Sequence, residues 1–409
     1  MRIGFVTQWF PPEPGTMVPA GIADGLASRG HEVHVLTGFP NYPTGKLQDG
    51  YSLRPYRRDL RSDRVTVHRA PLYPSHDRGA VKRAANYLSF AISAAFVARH
   101  KMPRPDVWLI YSSPATAAIP ALLSKRPSAP ILLLIQDLWP DSVADSGFVA
   151  GGRKMSGIER ALNRYCDWSY SRASAIGVIS PAMRKILKDR GVNEAKIHFL
   201  PNGIDDSFIP HKTTPSEQLR RQLGLPAGRI FMYAGNIGEL QQLDSLVRAF
   251  AACPDATLVL IGDGVALQRL RLLVHSRRIT NVHFMRPQPS DMIGQYLSAA
   301  DIHVVSLRDT PLLRATMPSK VQVAFATGRP LLVHAAGDVV DLVRDTHTGL
   351  VAPPNDINQA EQAITEFVGM SNIDLHAMGC RSRLLYESEY SPSVATSRIE
   401  SALTAVVST

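Results

Sequence analysis

The chain has 409 residues, of which 45% are hydrophobic and 20% charged; that length supports two globular domains and excludes a lone small binding module. Lys and Arg outnumber Asp and Glu 45 to 35, and the excess belongs to the first half: residues 1–200 hold 27 basic and 15 acidic side chains, residues 201–409 hold 18 and 20. Cys166, Cys253 and Cys380 lie far apart, so neither a disulfide framework nor a cysteine zinc site is indicated, and a reducing cytoplasm fits.

In chain order, the opening Met1–Gln8 is too short an apolar run for a signal-peptide core and predicts a first strand over Ile3–Thr7. Val18–Arg29, closed by Gly30, reads as a helix, and Val33–Leu36 as the next strand. Residues 51–100 carry 10 basic against 3 acidic side chains, a stretch that attracts phosphates or anionic lipid. Tyr87–Val97 is the longest apolar stretch, well short of a membrane span. It reads either as a core helix or, following Arg78, Lys82 and Arg83, as a segment showing apolar and basic surface together. Strands follow at Val107–Tyr111, Ile131–Ile135 and Ala175–Ile179, with Ser180-Pro181 as the cap and first residue of a helix.

The alternation restarts beyond Pro201-Asn202-Gly203-Ile204-Asp205, with Thr213-Thr214-Pro215 soon after. Strands are predicted at Ile230–Tyr233, Thr257–Ile261, Val282–Met285, Ile302–Ser306 and Leu331–His334, and helix from about Glu387. The chain is therefore α/β, with two doubly wound Rossmann-like parallel-sheet domains facing across a cleft, and the carboxyl ends of the strands are where ligands are expected. The boundaries are 1–203, 204–386 and a final helix over 387–409.

The strand-to-helix turns carry the chemistry. Neither the proline-rich Gln8–Thr16 turn nor Gly262-Asp263-Gly264, with Leu267 where a third glycine belongs, is a dinucleotide fingerprint, which counts against a nicotinamide oxidoreductase. Gly235-Asn236-Ile237-Gly238 follows a strand and opens a helix, a geometry that holds phosphate on main-chain amides or merely permits tight packing. Pro318-Ser319-Lys320 places a proline at a helix start and a lysine in its first turn, unfavourable for the helix dipole unless an anion sits there. No Asp-x-Asp pair or metal-ligand spacing is present, and His31 and His34, alternating along a strand, read as structural.

These residues, with Trp9-Phe10-Pro11-Pro12-Glu13-Pro14-Gly15, Arg29–Val33, Gly38–Gly45 and Asp137–Ser142, resemble the GT-B-fold, retaining family-4 glycosyltransferases that assemble bacterial O-antigen, capsule and exopolysaccharide sugars. The resemblance implies a metal-independent enzyme without cofactor. Its nucleotide-sugar donor, expected to be UDP-linked, is held by the C-terminal domain, and its saccharide or lipid-diphosphate-saccharide acceptor by the N-terminal one, with no nucleic acid as partner. It places the protein in the cytoplasm, peripheral on the anionic inner face of the plasma membrane. By the same resemblance, Lys320, helped by Arg314, neutralises the leaving diphosphate together with the backbone of Gly235, Asn236, Ile237 and Gly238 and the turn Pro318-Ser319. Gly15 and Thr16 approach the same phosphates. Asp137 orients the acceptor or balances the sugar cation, or else caps its own loop. Arg286 and Gln288 belong to the segment that meets the base.

Two departures stand out. Asn236 and Gln241 occupy positions where relatives carry Arg and Lys, and the family's Glu-x7-Glu pair falls on Ala315 and Val323. No glutamate occurs between Glu239 and Glu361, leaving Asp338 and Asp341 as substitutes for ribose recognition, with an N-cap as the other role for Asp338. The alternatives to glycosyl transfer are a non-hydrolysing nucleotide-sugar 2-epimerase and a non-catalytic nucleotide-sugar or membrane-binding protein.

Overall fold

The computed structural model describes residues 1–75, 80–123, 129–141, 157–207, 209, 217–289 and 292–408; Arg78, Ser142 and Thr213–Pro215 lie outside them. The chain forms two compact units: Met1–Gly203 joined by Pro392–Thr409, and Ile204–Ser391.

The first unit is built on an eight-stranded sheet in the order β3-β4-β2-β1-β5-β6-β7-β8. The strands are β1 (Arg2–Val6), β2 (Glu32–Gly38), β3 (Arg57–Ser62), β4 (Val65–Ala70), β5 (Val107–Ser112), β6 (Ile131–Ile135), β7 (Ala175–Val178) and β8 (Ile197–Phe199). The central members are short apolar runs because helices cover both faces of a parallel sheet. Three strands go beyond the expected five. β3 runs antiparallel to β4 and carries Arg57, Arg58, Asp59 and Arg61, so this edge is closed by charge rather than apolar side chains. The excess of cations here is partly spent inside the fold: Arg57 and Arg69 pair with Asp59, and Arg61 with Asp24.

Helix α1 (Met17–Ser28) and helix α2 (Ala80–His100) pack on this sheet, and the short helix α3 (Ile119–Leu122) packs on α2. The expected cap is present at the helix Pro181–Asp189, where Ser180 Oγ accepts from the Met183 amide at 3.2 Å. The last helix runs over Pro392–Ser408, starting later than the expected 387, because Tyr386–Tyr390 forms a separate wide turn within the second unit. Its Ile399, Ala402 and Leu403 join the core of the first unit. Glu400 fixes it there through Arg29 (2.9 Å) and His31 (2.8 Å). His34 pairs with His68 and Glu32.

The second unit holds a six-stranded, wholly parallel sheet in the order β11-β10-β9-β12-β13-β14. Its strands are β9 (Arg229–Ala234), β10 (Ala256–Ile261), β11 (Val282–Met285), β12 (Ile302–Ser306), β13 (Leu331–His334) and β14 (Gly349–Ala352). Phe231, Tyr233, Phe250 and Phe367 anchor one side of its core, with Phe231 edge-on to both phenylalanines at 5.1 and 5.8 Å. Order β10-β9-β12 reverses the direction of winding beside β9, the switch point at which such sheets open a crevice.

Candidate functional site

A pocket of about 500 Å³ opens in the second unit at the carboxyl ends of β9, β10 and β11, a size suited to a small-molecule ligand. Its rim is Gly235, Asn236, Gly262, Asp263, Gln288, Ser319 and Lys320, and its floor is Met232, His303, Leu297 and Val323. Five of the residues expected to hold the donor thus meet here: Gly235, Asn236, Gln288, Ser319 and Lys320.

Two glycine loops cross at the rim. Gly235 has φ +136°, and a Cβ there would lie 2.8 Å from Cε and Nζ of Lys320. Gly262, at φ +150°, lets its backbone approach the Gly235 carbonyl so closely that any Cβ would overlap it. The bare Cα of Gly235 makes room for Lys320. Its Nζ lies 5.1 Å from the centre of the Tyr233 ring, a cation–π arrangement. Burial holds its pKa below the ordinary lysine range, and no carboxylate among the described residues offsets this.

The amides of residues 235–238 differ from the expected phosphate cradle. Gly235 N–H donates to the Ile261 carbonyl (2.9 Å), Ile237 N–H to Asp263 O (2.8 Å) and Gly238 N–H to Gln241 Oε1 (3.1 Å). Three of the four are therefore engaged in holding the loop, Ile237 is a fully buried core residue, and neither it nor Gly238 lines the pocket. Gln241, at one of the missing cation positions, is turned inward as that loop's own acceptor. The loop leads into a short turn at Glu239–Gln241 before the helix Leu243–Ala251 begins, so it does not open the helix directly.

Pro318 is the N-cap of the helix Ser319–Thr327, one place before the position expected, which puts Lys320 on its second residue. Lys320 thus has the helix N-terminus beside it, where the dipole adds to the field that attracts an anion. Arg314 is not a helper at this rim: it is exposed and bound through two nitrogens to Asp309, at 2.5 and 2.9 Å. Arg286 is exposed outside the pocket, and its carbonyl accepts from Gln288 Nε2 at 2.8 Å. Of the two positions expected for the glutamate pair, Val323 lines the floor and Ala315 is buried. Asp338 and Asp341 stand in the first turn of Asp338–Asp345, away from the pocket wall, and Gly337 rather than Asp338 occupies the cap.

Sequence reasoning missed His303. It projects from β12 to the pocket floor, 5% exposed, with no hydrogen-bond partner for Nε2, and burial lowers its pKa to about 3, so the ring is neutral. Its only signal is a polar residue in the middle of an apolar strand.

In the first unit, the proline-rich loop after β1 is organised by Glu13, which is buried. Its carboxylate accepts from the amides of Asn41 (2.8 Å), Tyr42 (2.9 Å) and Phe10 (3.2 Å), which knits the first loop to the loop after β2. Desolvation raises its pKa, with those amides and Arg69 pulling the other way. Gly15 adopts φ +76° on the surface, and the Thr16 hydroxyl is given to the Glu13 carbonyl at 2.5 Å. Asp137, past the end of β6, has an exposed tip and accepts from Ser113 Oγ at 2.8 Å. Surrounding protein raises its pKa, an effect the Ser113 hydroxyl reduces. Among the described residues no cluster of three or more His, Cys, Asp or Glu is arranged to hold a metal ion.

Comparison with known proteins places both units. The family "Glycosyl transferase 4-like domain" matches residues 15–203, and "Glycosyl transferases group 1" matches residues 215–382. WcaI of Escherichia coli, named as a candidate colanic acid biosynthesis glycosyl transferase, is 29% identical over 323 residues, 77% of this chain and 78% of that protein. WbjE of Pseudomonas aeruginosa, named as a candidate glycosyltransferase, is 23% identical over 313 residues, 75% of each chain. Among solved structures, Anabaena HepE in complex with UDP superimposes with a TM-score of 0.72 at 15% identity, covering 99% of this chain and 100% of its own.

Proposed function

This chain belongs to the glycosyltransferases of the family-4 type, with its two halves matched in order by the two domain families, and from that premise we propose a retaining transferase using a uridine-diphosphate sugar. The acceptor is a saccharide, soluble or carried on a lipid diphosphate, and the product enters a surface polysaccharide or glycoconjugate. The polysaccharide context follows the name of WcaI, and the uridine nucleotide follows the HepE complex.

The observation that carries this reading is Lys320: a cation without a carboxylate partner among the described residues, beside a helix N-terminus, at the rim of a pocket of nucleotide size. In the transfer, the bond from the anomeric carbon to the β-phosphate oxygen breaks and its electron pair stays on the diphosphate. The anomeric carbon shares the resulting positive charge with the ring oxygen. The acceptor hydroxyl adds from the face the diphosphate leaves, and its proton passes to a phosphate oxygen. Lys320 and the helix end meet the charge that grows on the diphosphate, so they stabilise the transition state more than the intact donor. Asn236 and Ser319 offer hydrogen bonds to the same phosphates, and Gln288 and the Arg286 segment meet the base. On the first unit, Asp137 orients the acceptor. Ribose recognition falls to the main chain of this rim in place of a glutamate pair.

A screen of nucleotide sugars for nucleoside diphosphate release, with and without polysaccharide acceptors, tests the reading. Release of UDP that rises with an acceptor supports it. Conversion of donor alone into its 2-epimer, with no UDP released, would replace it with the epimerase.

A further inference from the structure

The second unit carries another cavity, of about 750 Å³, at the pole of its sheet opposite the donor pocket. Arg229 opens β9, Asp301 directly precedes β12 and Arg329-Pro330 directly precede β13, so this cavity lies at the amino ends of the strands. Its remaining wall comes from Arg220 on the helix Glu217–Gln222 and from the start of the helix Asn372–Leu385, including His376. The two cavities share no residue.

Cations prevail there. Three guanidiniums line the cavity against two carboxylates, and one of these, Glu217, stands out in water with its side chain 70% exposed. Asp301 therefore serves two buried arginines: Arg220 pairs with it at 2.8 Å, and Arg329 feels its charge. Burial lowers the pKa of Arg329 to about 10, with Asp301 opposing that fall and Arg220 adding to it, so the two cations stand close enough to repel. Among the described residues Arg229 is met by neutral oxygens, Asn372 Oδ1 and the Met370 carbonyl, each at 3.0 Å. An apolar filling would hold these strand ends with less desolvation than three cations in one hollow. The forks are also set in advance: Arg220 Nε donates to the Ala299 carbonyl at 2.9 Å and Arg329 Nη2 to the Ser298 carbonyl at 3.1 Å. Guanidiniums held in this way suit phosphate oxygens, which they meet with paired N–H groups. The amino end of Asn372–Leu385 adds its dipole, and the acid of that turn, Asp374, accepts from Ser371 Oγ at 2.7 Å and does not line the cavity. Pro330, Val368 and Ile373, the last 80% exposed, give the cavity an apolar side against which a carbon skeleton can lie.

We infer that this cavity is a second anion site, which takes the phosphate ester of a small molecule with its phosphate on Arg220, Arg229 and Arg329 and its carbon skeleton against Ile373. The site goes beyond the glycosyl-transfer reading, no step of which uses it.

Titration of the full chain with inorganic phosphate, glucose 6-phosphate and adenosine monophosphate tests it, in the parent and in Lys320→Ala, so that a contribution from the donor pocket is told apart. The expected result is that at least one of the two esters binds parent and Lys320→Ala alike, more tightly than inorganic phosphate. That binding should weaken at least tenfold in Arg229→Ala and in Ile373→Glu. Ile373→Glu brings a carboxylate to the cavity from an exposed position, so it keeps the test open should Arg229→Ala, which also releases Asn372 and Met370, fail to fold. Loss of binding in Lys320→Ala assigns the phosphate to the donor pocket and overturns the proposal. So does equal binding by Ile373→Glu and parent, or no binding of any of the three at millimolar concentration. A preference for inorganic phosphate over both esters overturns the place given to the carbon skeleton.

Discussion

Lys320 Nζ sits 5.1 Å over the ring of Tyr233, whose hydroxyl donates to the Asn236 carbonyl at 2.5 Å, so one aromatic side chain both seats the cation and fixes the loop opposite it. A charge-assisted hydrogen bond contributes about 1.5–3 kcal/mol, and the one from Lys320 to the departing diphosphate acts at the transition state. Lys320→Ala is expected to lower kcat/KM by about 10- to 100-fold, with the melting temperature kept. Steady-state kinetics that leave turnover unchanged would remove Lys320 from the chemistry.

The same lysine predicts a pH dependence. Its folded-state pKa lies below the unfolded value because burial disfavours the charged form. Between those two values the unfolded chain holds the proton and the native one does not, so stability rises with pH across that window. Diphosphate binding runs in the opposite sense, since it needs the proton. UDP affinity, measured by calorimetry, should fall as pH rises through the lowered pKa, and Lys320→Arg should flatten that slope. A slope that survives in the arginine variant belongs to another group.

Gly235→Ala and Gly262→Ala separate two kinds of glycine. A methyl at 235 meets the flexible end of Lys320 at 2.8 Å, which can turn away, whereas one at 262 meets the backbone carbonyl of Gly235 at 1.9 Å. The first variant should fold, lose about 1 kcal/mol of stability to backbone strain, and bind UDP more weakly. The second should lose considerably more stability. Thermal melts of the two, compared directly, check the order; equal losses would refute the loop geometry.

Ser113→Ala tests Asp137. The Ser113 hydroxyl lowers a carboxyl pKa that the surrounding protein raises, so removing it should raise that pKa further. If Asp137 acts ionised, the acid limb of the kcat/KM profile moves to higher pH in the variant. An unmoved limb would return Asp137 to a purely local role.

Glu13→Ala leaves the amides of Phe10, Asn41 and Tyr42 without their acceptor. An unmet buried donor costs about 1–3 kcal/mol, and the three together should lower the melting temperature clearly. A melt indistinguishable from the parent would show that water or another acceptor replaces the carboxylate.

The sequence makes legible those features whose cause is local. Apolar runs such as Ile131–Ile135 and Leu331–His334 are strands because they are buried on both faces, and they were found. β3 escaped because an edge strand facing water on its charged side has no apolar run, β8 has only three residues, and β14 is half-exposed along Gly349–Val351. At the candidate site, Gly235 and Asn236 were readable as a turn at the end of a strand, and Ser319 and Lys320 as the start of a helix. The commitments of Gln241 to its own loop, Arg314 to Asp309 and Thr16 to Glu13 were not, since each depends on a partner placed by folding. His303 and Glu13 were present as polar residues out of keeping with their neighbours, a signal that names no role until the surroundings are known.

The seating of Ile399 and Leu403 in the core of the first unit has a consequence for synthesis. Those side chains leave the ribosome only after the whole of the second unit, residues 204–391, has been made. At about 5–20 residues per second that interval is roughly 10–40 s. Throughout it, the nascent amino-terminal half exists with the seat of its last helix beside α1 still empty, awaiting a segment not yet translated.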